Sequence, residues 1–258
     1  MSQASHLSIG DSEHIAYRRV EGRTPGVVFL CGHGSDMDGT KALEVEAWAQ
    51  ANGRSCLRFD YRGHGGSSGE FLDGNVSSWT QDCLAAFDAL TEGPQILVGS
   101  SLGGWLMLNL ALARPDRVAG LIGIAAAPDF TEDLLWAEFD ADQRREIETE
   151  GVIALPNPYS DEPVRYPWHL ITDGRDNLRL RAPLEIAAPV HLLHGMNDEE
   201  VPWQTATRTA ACLTGEHVEL SIVKAAGHRF SKPDQLALLR RALDAMLARI
   251  TDASNRRT

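Results

Sequence analysis

The fold and the candidate chemistry are decided by one stretch, residues 95–115, which reads QILVGSSLGGWLMLNLALARP. It begins with a short apolar run typical of a buried strand and continues into an apolar run of helical length that stops before Pro115. Between the two lies GSSLG (99–103), in which Ser101 stands between two glycines. A tight strand-to-helix turn needs small neighbours, because its backbone is strained and approaches adjacent elements closely. We therefore predict that Ser101 is a catalytic nucleophile on such a turn.

The position of the pentapeptide makes this prediction specific. A GxSxG pattern also arises by chance, but one that joins a buried strand to a helix is a strong signal. Ser100 does not stand between the glycines in the required frame. The alternative is a glycine-rich helix start that the Ser101 hydroxyl only caps.

Around this stretch, short apolar runs alternate with segments of helical period, which is the pattern of a mostly parallel sheet flanked by helices. Strands are predicted at 27–31, 55–60, 95–99, 118–126, 189–195 and 218–224. Helices are predicted near 40–51, 79–91, 102–113, 203–213 and 234–250. HLSIG and HIAYRRV, joined by a turn through DSE, predict an antiparallel hairpin at one edge. The sequence thus predicts a single α/β domain over 1–258 with about eight strands.

The regular alternation breaks between residues 128 and 185, where prolines, tryptophans and charged helical turns follow one core strand and precede the next. An insertion at this position can cover the carboxyl ends of the strands. We predict that 128–185 forms a lid and that Trp136 and Trp168 contact the substrate. The alternative is an ordinary long connection folded against the edge of the sheet.

The partners that a serine nucleophile needs are found downstream. A serine hydroxyl is weakly nucleophilic until a base removes its proton, and the base needs a third group to hold its tautomer. Asp198 follows the strand PVHLLHG, and His228 follows the strand ELSIVK, so both are placed in loops at carboxyl ends of strands. We predict Asp198 as the acid and His228 as the base. Glu199 and Glu200 are rival candidates for the acid.

The tetrahedral intermediate requires hydrogen-bond donors for its oxyanion. The backbone N–H of Leu102 follows the nucleophile at the start of a helix, where the helix dipole also favours negative charge. The loop CGHGSDMDGT after VVFL can bring backbone close to the same point. From this loop we predict the N–H of His33, with Gly34 as the alternative donor and as a substrate-binding candidate.

Three polar residues near the ends of the early strands have structural interpretations. His33 and His64 precede Ser101, which is the wrong chain order for the acid or the base, so we interpret their side chains as pocket walls or hydrogen-bonding loop groups. Arg62, within DYRGHGGS (60–67), is predicted to brace the nucleophile's loop by binding a carboxylate or carbonyl groups. The alternative for Arg62 is a contact with an anionic substrate.

Composition narrows the range of functions. A net charge of -12 and an isoelectric point near 5.2, with no basic stripe, argue against nucleic acid as a partner. No apolar run approaches the roughly 18 residues of a membrane span. No HExxH, HxxEH or HxHxD cluster is present, so neither a metal nor another cofactor is expected.

Four scattered cysteines favour a reducing compartment, and with no basic and apolar leader at the start they predict a cytoplasmic protein. They are Cys31, Cys56, Cys83 and Cys212.

Beyond these motifs, the chain resembles the α/β-hydrolase superfamily over nearly its whole length, and within it the mitochondrial esterases and thioesterases that act on acyl glucuronides and palmitoylated proteins. The resemblance lies in MDGTKALEVEAWA, LRFDYRGHGGSSG, GPQILVGSSLGGWLMLNLALARPDRV and LLHGMNDEEVPW. It implies that Ser101, Asp198 and His228 form a triad. It weakens in the insertion 128–185 and near His228. Because no mitochondrial leader is visible, we expect a bacterial-type relative.

The resemblance implies hydrolysis of an acyl ester, an acyl glucuronide or an S-acylated protein through an acyl-serine intermediate. Amide or peptide hydrolysis is an alternative within the same fold. From another class, the alternative is a non-catalytic binding protein, although such proteins usually lose a triad member. Four of the insertion's arginines are candidates to meet a substrate carboxylate, with a place in solvent as the alternative for each. They are Arg165, Arg175, Arg179 and Arg181.

Overall fold

One large sheet and one small hairpin form the strands of this computed structural model, which describes residues 4–10, 12–157 and 160–255. The strands are β1 (Ser5–Ser8), β2 (His14–Val20), β3 (Arg23–Leu30), β4 (Arg54–Phe59), β5 (Gln95–Ser100), β6 (Val118–Ile124), β7 (Val152–Leu155), β8 (Val164–Pro167), β9 (Val190–Gly195) and β10 (Val218–Val223). The large sheet has eight strands in the order β1-β2-β4-β3-β5-β6-β9-β10. Strands β7 and β8 pair separately.

The pairing directions confirm the predicted fold class. The β1–β2 and β2–β4 pairs are antiparallel, and the other pairs of the large sheet are parallel. The predicted edge hairpin is present, although residue 11 of its turn lies outside the described residues. Since parallel strands end at the same edge, the loops after β3, β5, β9 and β10 all open at one side of the sheet. These are the loops that carry the predicted site.

Helices cover the sheet in the order that the sequence predicts. They are α1 (Thr40–Ala51), α2 (Val76–Leu90), α3 (Leu102–Ala113), α4 (Ala141–Glu150), α5 (Trp168–Asp176), α6 (Gln204–Cys212) and α7 (Pro233–Asn255). Helix α2 begins three residues before its predicted start, because Asn75 and Ser78 form a reciprocal capping box. Strand β6 ends two residues before its predicted end, where Ala125 adopts a positive φ of 45°.

The centre of the core lies around β5 and α3. Every residue of β5 is buried, and α3 is buried from Leu102 to Ala111. Strands buried on both faces read as continuous apolar runs, which explains why the sequence locates this strand so well. The segment between β5 and α3 is therefore held on a rigid base.

The insertion between β6 and β9 has a small core of its own. It contains a π-helical turn (Thr131–Trp136), α4, the β7–β8 hairpin and α5, which pack around the buried side chains of Phe139, Ile147, Ile153 and Ile171. Its two ends meet where the buried Asp129 carboxylate accepts backbone N–H groups of Arg179 and Leu180 at 2.6 and 2.8 Å. We call this junction the neck. The lid over 128–185, of which residues 158–159 lie outside the described residues, stays a prediction.

Candidate active site

The turn between β5 and α3 has the backbone of a nucleophile elbow. Ser101 adopts φ 54° and ψ −120°, a region that residues with a side chain rarely occupy. A Cβ on Gly99 would lie 2.3 Å from the carbonyl oxygen of Gly103, and one on Gly103 would lie 2.1 Å from that of Leu30. Both flanking glycines are thus required by close backbone contacts. The half-buried Ser101 side chain is presented at the carboxyl edge of the sheet.

The structure brings the three predicted triad residues together. His228, in the loop after β10, places Nε2 3.1 Å from Ser101 Oγ. Its other ring nitrogen, Nδ1, lies 2.9 Å from Asp198 Oδ2 in the loop after β9. With Nδ1 donating to the carboxylate, Nε2 is left to accept the serine proton. The geometry suits a relay of one proton from Ser101 to His228.

The geometry also separates Asp198 from its acidic neighbours. The Asp198 side chain is fully buried, and its Oδ1 accepts the backbone N–H groups of Glu200 and Val201 at 3.0 and 2.8 Å. Glu199 is exposed. The Glu200 carboxylate lies 3.8 Å from His228 Nε2, on the side of the ring that faces Ser101. Asp198 is therefore the carboxylate placed to hold the tautomer, and Glu200 stands beside the reacting nitrogen.

A further histidine, which the sequence reasoning missed, contacts the acid. His194 is fully buried in β9, and its Nε2 lies 3.2 Å from Asp198 Oδ2. Burial of the Asp198 carboxylate favours its neutral form, but hydrogen bonds from His194 and His228 outweigh that effect and hold the pKa of Asp198 well below its usual range. Asp198 is thus ionised at neutral pH. The signal in the sequence was the spacing HGMND, four residues from His194 to Asp198.

Two backbone N–H groups near Ser101 are candidates to donate hydrogen bonds to the oxyanion. The N–H of Leu102, the first residue of α3, has no partner within its helix. The N–H of Gly34 already donates to His64 Nε2 at 3.2 Å, whereas no described residue accepts the N–H of His33. A Cβ on Gly32 would lie 3.3 Å from the Ser101 Cβ, so this loop does approach the nucleophile. The contacts favour His33 over Gly34 as the second donor.

Gly34 instead lies on the wall of a cavity beside the site. The cavity has a volume of about 350 Å³ and is lined by Gly34, Ser35, Asp36, Gly63, His64, Gly65 and Phe71. A second cavity of about 240 Å³ shares Ser35 and Asp36 and also contacts Lys41 and Arg229. Both cavities adjoin the loop after β3. The predicted substrate contact of Gly34 stays a prediction, with a cavity in place to receive one.

The side chains of His33 and His64 belong to an aromatic cluster. The His33 ring stacks on Tyr166 of the insertion, with centroids 5.4 Å apart and planes inclined by 12°, and it meets the edge of Phe71 at 4.7 Å. Burial lowers the pKa of His33 to about 3 and that of His64 to about 4, so both rings are neutral at pH 7. His64 Nδ1 donates to the Arg62 carbonyl at 3.3 Å. His64 thus lines the cavity of about 350 Å³ and makes a loop hydrogen bond, as predicted, whereas the ring of His33 packs within the aromatic cluster.

Arg62 binds carboxylates as predicted, but in another place. Its backbone N–H and Nε donate to the two oxygens of Asp82, each at 2.8 Å, and a terminal nitrogen donates to Glu13 at 3.0 Å. Asp82 lies on α2. Arg62 therefore ties the loop after β4 to α2, and the prediction that it braces the loop of Ser101 is not matched by its contacts.

The two tryptophans of the insertion pack on each other. The Trp136 and Trp168 rings lie 5.2 Å apart, with the Arg175 guanidinium 4.8 and 5.4 Å from their centroids. No contact recorded for the described residues joins either ring to Ser101 or His228. Their predicted contact with substrate stays a prediction, and their observed role is to support the core of the insertion.

Most of the arginines in the insertion are paired. Arg175 binds Glu132 at 2.7 Å, Arg179 binds the Asn109 side chain at 2.5 Å, and Arg181 binds Asp129 and Asp133. Arg165 is exposed. Three of these four arginines are thus held by side chains of the insertion or of α3.

Neither a metal-binding group nor a membrane-spanning helix is found among the described residues. Within 4–10, 12–157 and 160–255, no group of three His, Cys, Asp or Glu side chains could hold a metal ion. In the same ranges, no helix combines the length and apolar character that crossing a bilayer requires. All four cysteines are free thiols, three of them buried.

Comparisons with known proteins agree with this architecture. Residues 27–238 match the model of the alpha/beta hydrolase family. The chain is 37% identical to human palmitoyl-protein thioesterase ABHD10, over 97% of this chain and 82% of the human protein. The solved structure of alpha/beta hydrolase domain-containing protein 10 from mouse has a TM-score of 0.90 at 38% identity, and the alignment covers 96% of this chain and 100% of that one. A solved structure from Agrobacterium vitis S4 has a TM-score of 0.90 at 37% identity, with 95% and 97% coverage.

These relatives correct the expected location. The human, bovine and mouse proteins are all named as mitochondrial, and this finding contradicts the cytoplasmic prediction. The cytoplasmic prediction is wrong because it depended in part on scattered thiols. Such thiols favour a reducing compartment but do not distinguish one reducing compartment from another.

Proposed function

The chain belongs to the alpha/beta hydrolase family, and from this premise we propose that it hydrolyses carboxylic esters and thioesters through an acyl intermediate on Ser101. The observation that carries the proposal is the continuous chain of hydrogen bonds from Ser101 through His228 to Asp198, with lengths of 3.1 and 2.9 Å. A hydrogen-bonded nucleophile, base and orienting acid are the parts that acyl transfer needs.

In the acylation step, Ser101 Oγ attacks the acyl carbonyl carbon while His228 Nε2 takes the hydroxyl proton. The carbonyl oxygen becomes an oxyanion that accepts the N–H groups of Leu102 and His33. His228 then gives the proton to the departing oxygen or sulfur as the C–O or C–S bond breaks. Asp198 holds the ring of His228 throughout and stabilises its charged form.

In the deacylation step, His228 takes a proton from water, and the resulting hydroxide attacks the acyl carbon bound to Ser101 Oγ. The second tetrahedral intermediate uses the same two N–H donors. When it collapses, His228 returns the proton to Ser101 Oγ, and a carboxylic acid leaves. The chain's own residues and one water molecule supply every group in the cycle.

For the substrate we propose an acyl ester or an S-acyl group, including one carried on a protein. Relatives over almost the whole chain are named palmitoyl-protein thioesterases, which supports this class. A thiol is a better leaving group than an amine, so expelling it depends less on the proton that His228 supplies. Because Ser101 is half-buried rather than sealed, an acyl carbonyl on a larger carrier can also reach it.

We also propose that residues 128–185 act as the lid of this site. The contact that supports it is the stacking of Tyr166, on β8, against His33, whose backbone N–H is the proposed oxyanion donor. A Tyr166→Ala substitution is then expected to change kcat/KM for long acyl chains more than for acetate. Equal changes for all chain lengths would contradict a lid role.

The test of the proposed function is covalent labelling with a fluorophosphonate, followed by turnover. Wild-type protein is expected to take one label and Ser101→Ala none. Ser100→Ala is the matched control, since it removes the adjacent hydroxyl and leaves the elbow serine in place. Folded wild-type protein that takes no label, or Ser101→Ala protein that labels fully, would refute the proposal.

Turnover then identifies the bond that is cleaved. The substrates are p-nitrophenyl esters of increasing chain length, a palmitoyl thioester, an acyl glucuronide and an amide with the same acyl group. We expect ester and thioester hydrolysis to exceed amide hydrolysis. A faster amide reaction would assign the site to the amidase alternative instead.

A further inference from the structure

His194 is a buried imidazole that the catalytic cycle above does not use. It is the penultimate residue of β9, and its side chain is 1% exposed. Its Nε2 lies 3.2 Å from Asp198 Oδ2 and 2.9 Å from the carbonyl oxygen of Val201. Both partners accept hydrogen bonds, so Nε2 carries a proton and shares it between them.

The other nitrogen of this ring indicates why a histidine stands here. His194 Nδ1 is buried and has no hydrogen-bond partner among the described residues. A buried polar atom without a partner destabilises the folded protein, so a position needed only for packing would be better filled by an apolar side chain. The functional part of the ring is therefore its Nε2–H.

That N–H completes the coordination of the Asp198 carboxylate. Oδ2 receives the ring N–H groups of His194 and His228, while Oδ1 receives the backbone N–H groups of Glu200 and Val201. Val201 also accepts from His194 through its carbonyl oxygen. One imidazole thus ties the acid, and the turn that bears it, to the rigid strand β9.

We propose that His194 is a positioning residue for the acid of this site, which directs Asp198 Oδ2 towards His228 and draws part of its negative charge away from that ring. The proposal rests on the proposed function of Ser101, Asp198 and His228. It gives His194 two separable effects. One is on the rate, through the orientation of His228, and the other is on the pH profile of kcat/KM.

The direction of the second effect follows from the charges that face His228. These are the carboxylates of Asp198 and Glu200, with Lys41 and Arg229 at the adjoining cavity. Without the His194 N–H, more of the Asp198 charge acts on the ring of His228. The acid limb of the pH profile of kcat/KM should then move to higher pH.

The experiment compares His194→Leu, which removes the donor, with His194→Gln, whose amide N–H can reach the same acceptors. His191→Leu is the matched control. His191 lies on the same strand, and its ring makes one hydrogen bond of 2.9 Å to Ser221, away from the site. For each protein, kcat, KM and the acid limb are measured with a p-nitrophenyl ester, and folding is measured by thermal unfolding.

We expect His194→Leu to lower kcat by about ten- to hundredfold with little change in KM, as the loss of other orienting partners does. Its acid limb should lie at higher pH than that of the wild type. His194→Gln should restore both, and His191→Leu should change neither. If His194→Leu does not fold, His194→Asn, whose shorter amide does not reach Asp198, takes its place.

Two outcomes would overturn the proposal. One is a folded variant without the donor that keeps the wild-type kcat and acid limb, since His194 would then serve packing alone. The other is a glutamine variant as slow as the leucine variant, since the shape of the ring would then matter and its N–H would not. Failure of the proposed function is seen separately, because wild-type protein would then not label at Ser101.

Discussion

Replacing Asp198 with asparagine should remove most of the turnover while preserving the outline of the site. The carboxylate accepts four N–H groups, two from the rings of His194 and His228 and two from the backbone of Glu200 and Val201. An asparagine has a single oxygen, so its NH₂ group must face two donors in either orientation. Facing the rings, it forces His228 to accept at Nδ1 and so places the proton on Nε2. The base then cannot take a proton from serine.

The magnitude follows from these contacts. In serine proteases, inversion of the histidine tautomer by the same substitution lowers kcat by about 10,000-fold, or roughly 5 kcal/mol in the barrier. Hydrogen bonds to a charged group contribute about 1.5–3 kcal/mol each, and two of them are lost here, so the free energy of unfolding should fall by about 3–6 kcal/mol. The variant is therefore expected to be both slow and less stable.

The assay is kcat with a p-nitrophenyl ester, together with urea unfolding of the same preparation. Glu199→Gln is the control, because Glu199 is exposed beside Asp198, and we expect its kcat to stay within about fivefold of the wild type, the range of exposed charge effects. A loss in Glu199→Gln equal to that in Asp198→Asn would show that the wrong acid was assigned. Retention of more than about a tenth of the wild-type kcat in folded Asp198→Asn would refute the tautomer argument.

Other substitutions test the framework of the site. Gly103→Ala places a Cβ 2.1 Å from the Leu30 carbonyl oxygen and should lower the free energy of unfolding by about 3 kcal/mol or more. Gly151 has a positive φ but open space around it, so Gly151→Ala should lower the same free energy by only about 1 kcal/mol. Urea titration of the two variants measures the difference. Asp129→Ala leaves the two backbone N–H groups of the neck without an acceptor, which should lower the free energy of unfolding by about 1–3 kcal/mol for each group. Limited proteolysis should then cut the insertion sooner than in the wild type. Unchanged cleavage would contradict the role of the neck. Burial raises the pKa of Asp60 to about 6, so the folded state binds a proton more readily than the unfolded chain. Wild type should accordingly lose stability relative to Asp60→Asn as the pH rises from about 4 to about 6, and a constant difference across that range would show that Asp60 is ionised throughout.

The parts of the site that the structure brings together as predicted depend on local sequence patterns. A buried strand that runs directly into a helix through GSSLG (99–103) has few other structural solutions, and Asp198 and His228 each follow a strand that is readable from its apolar run. The fold class and the hydrolase family, which were predicted from the same local patterns, are confirmed. The start of α2 was missed because the capping pair, Asn75 and Ser78, acts before the first large apolar residue of the helix.

What the sequence could not supply is which polar groups are paired by tertiary packing. His194 and His191 look alike within one strand, and only the return of the chain at Val201 gives the former its acceptors. Likewise, nothing local shows that the N–H of Gly34 is taken by His64, thirty residues away. Such partners decide which candidate donor stays available, and they are set by tertiary packing.

These pairs of polar groups share one property that bears on mechanism. The oxyanion loop is fixed by His64 at Gly34 and by Asp60, which accepts the N–H of Met37 at 2.6 Å, and the acid loop is fixed by His194. Each link is a buried or partly buried hydrogen bond within the folded chain and needs no bound ligand to form. Donors held in place before the reaction stabilise the oxyanion without reorganisation, which is the main source of their catalytic effect. The rate of acylation should therefore depend on access past the insertion rather than on assembly of the triad. Small fluorophosphonates should label Ser101 rapidly, whereas the labelling rate of bulky ones should be limited by the insertion.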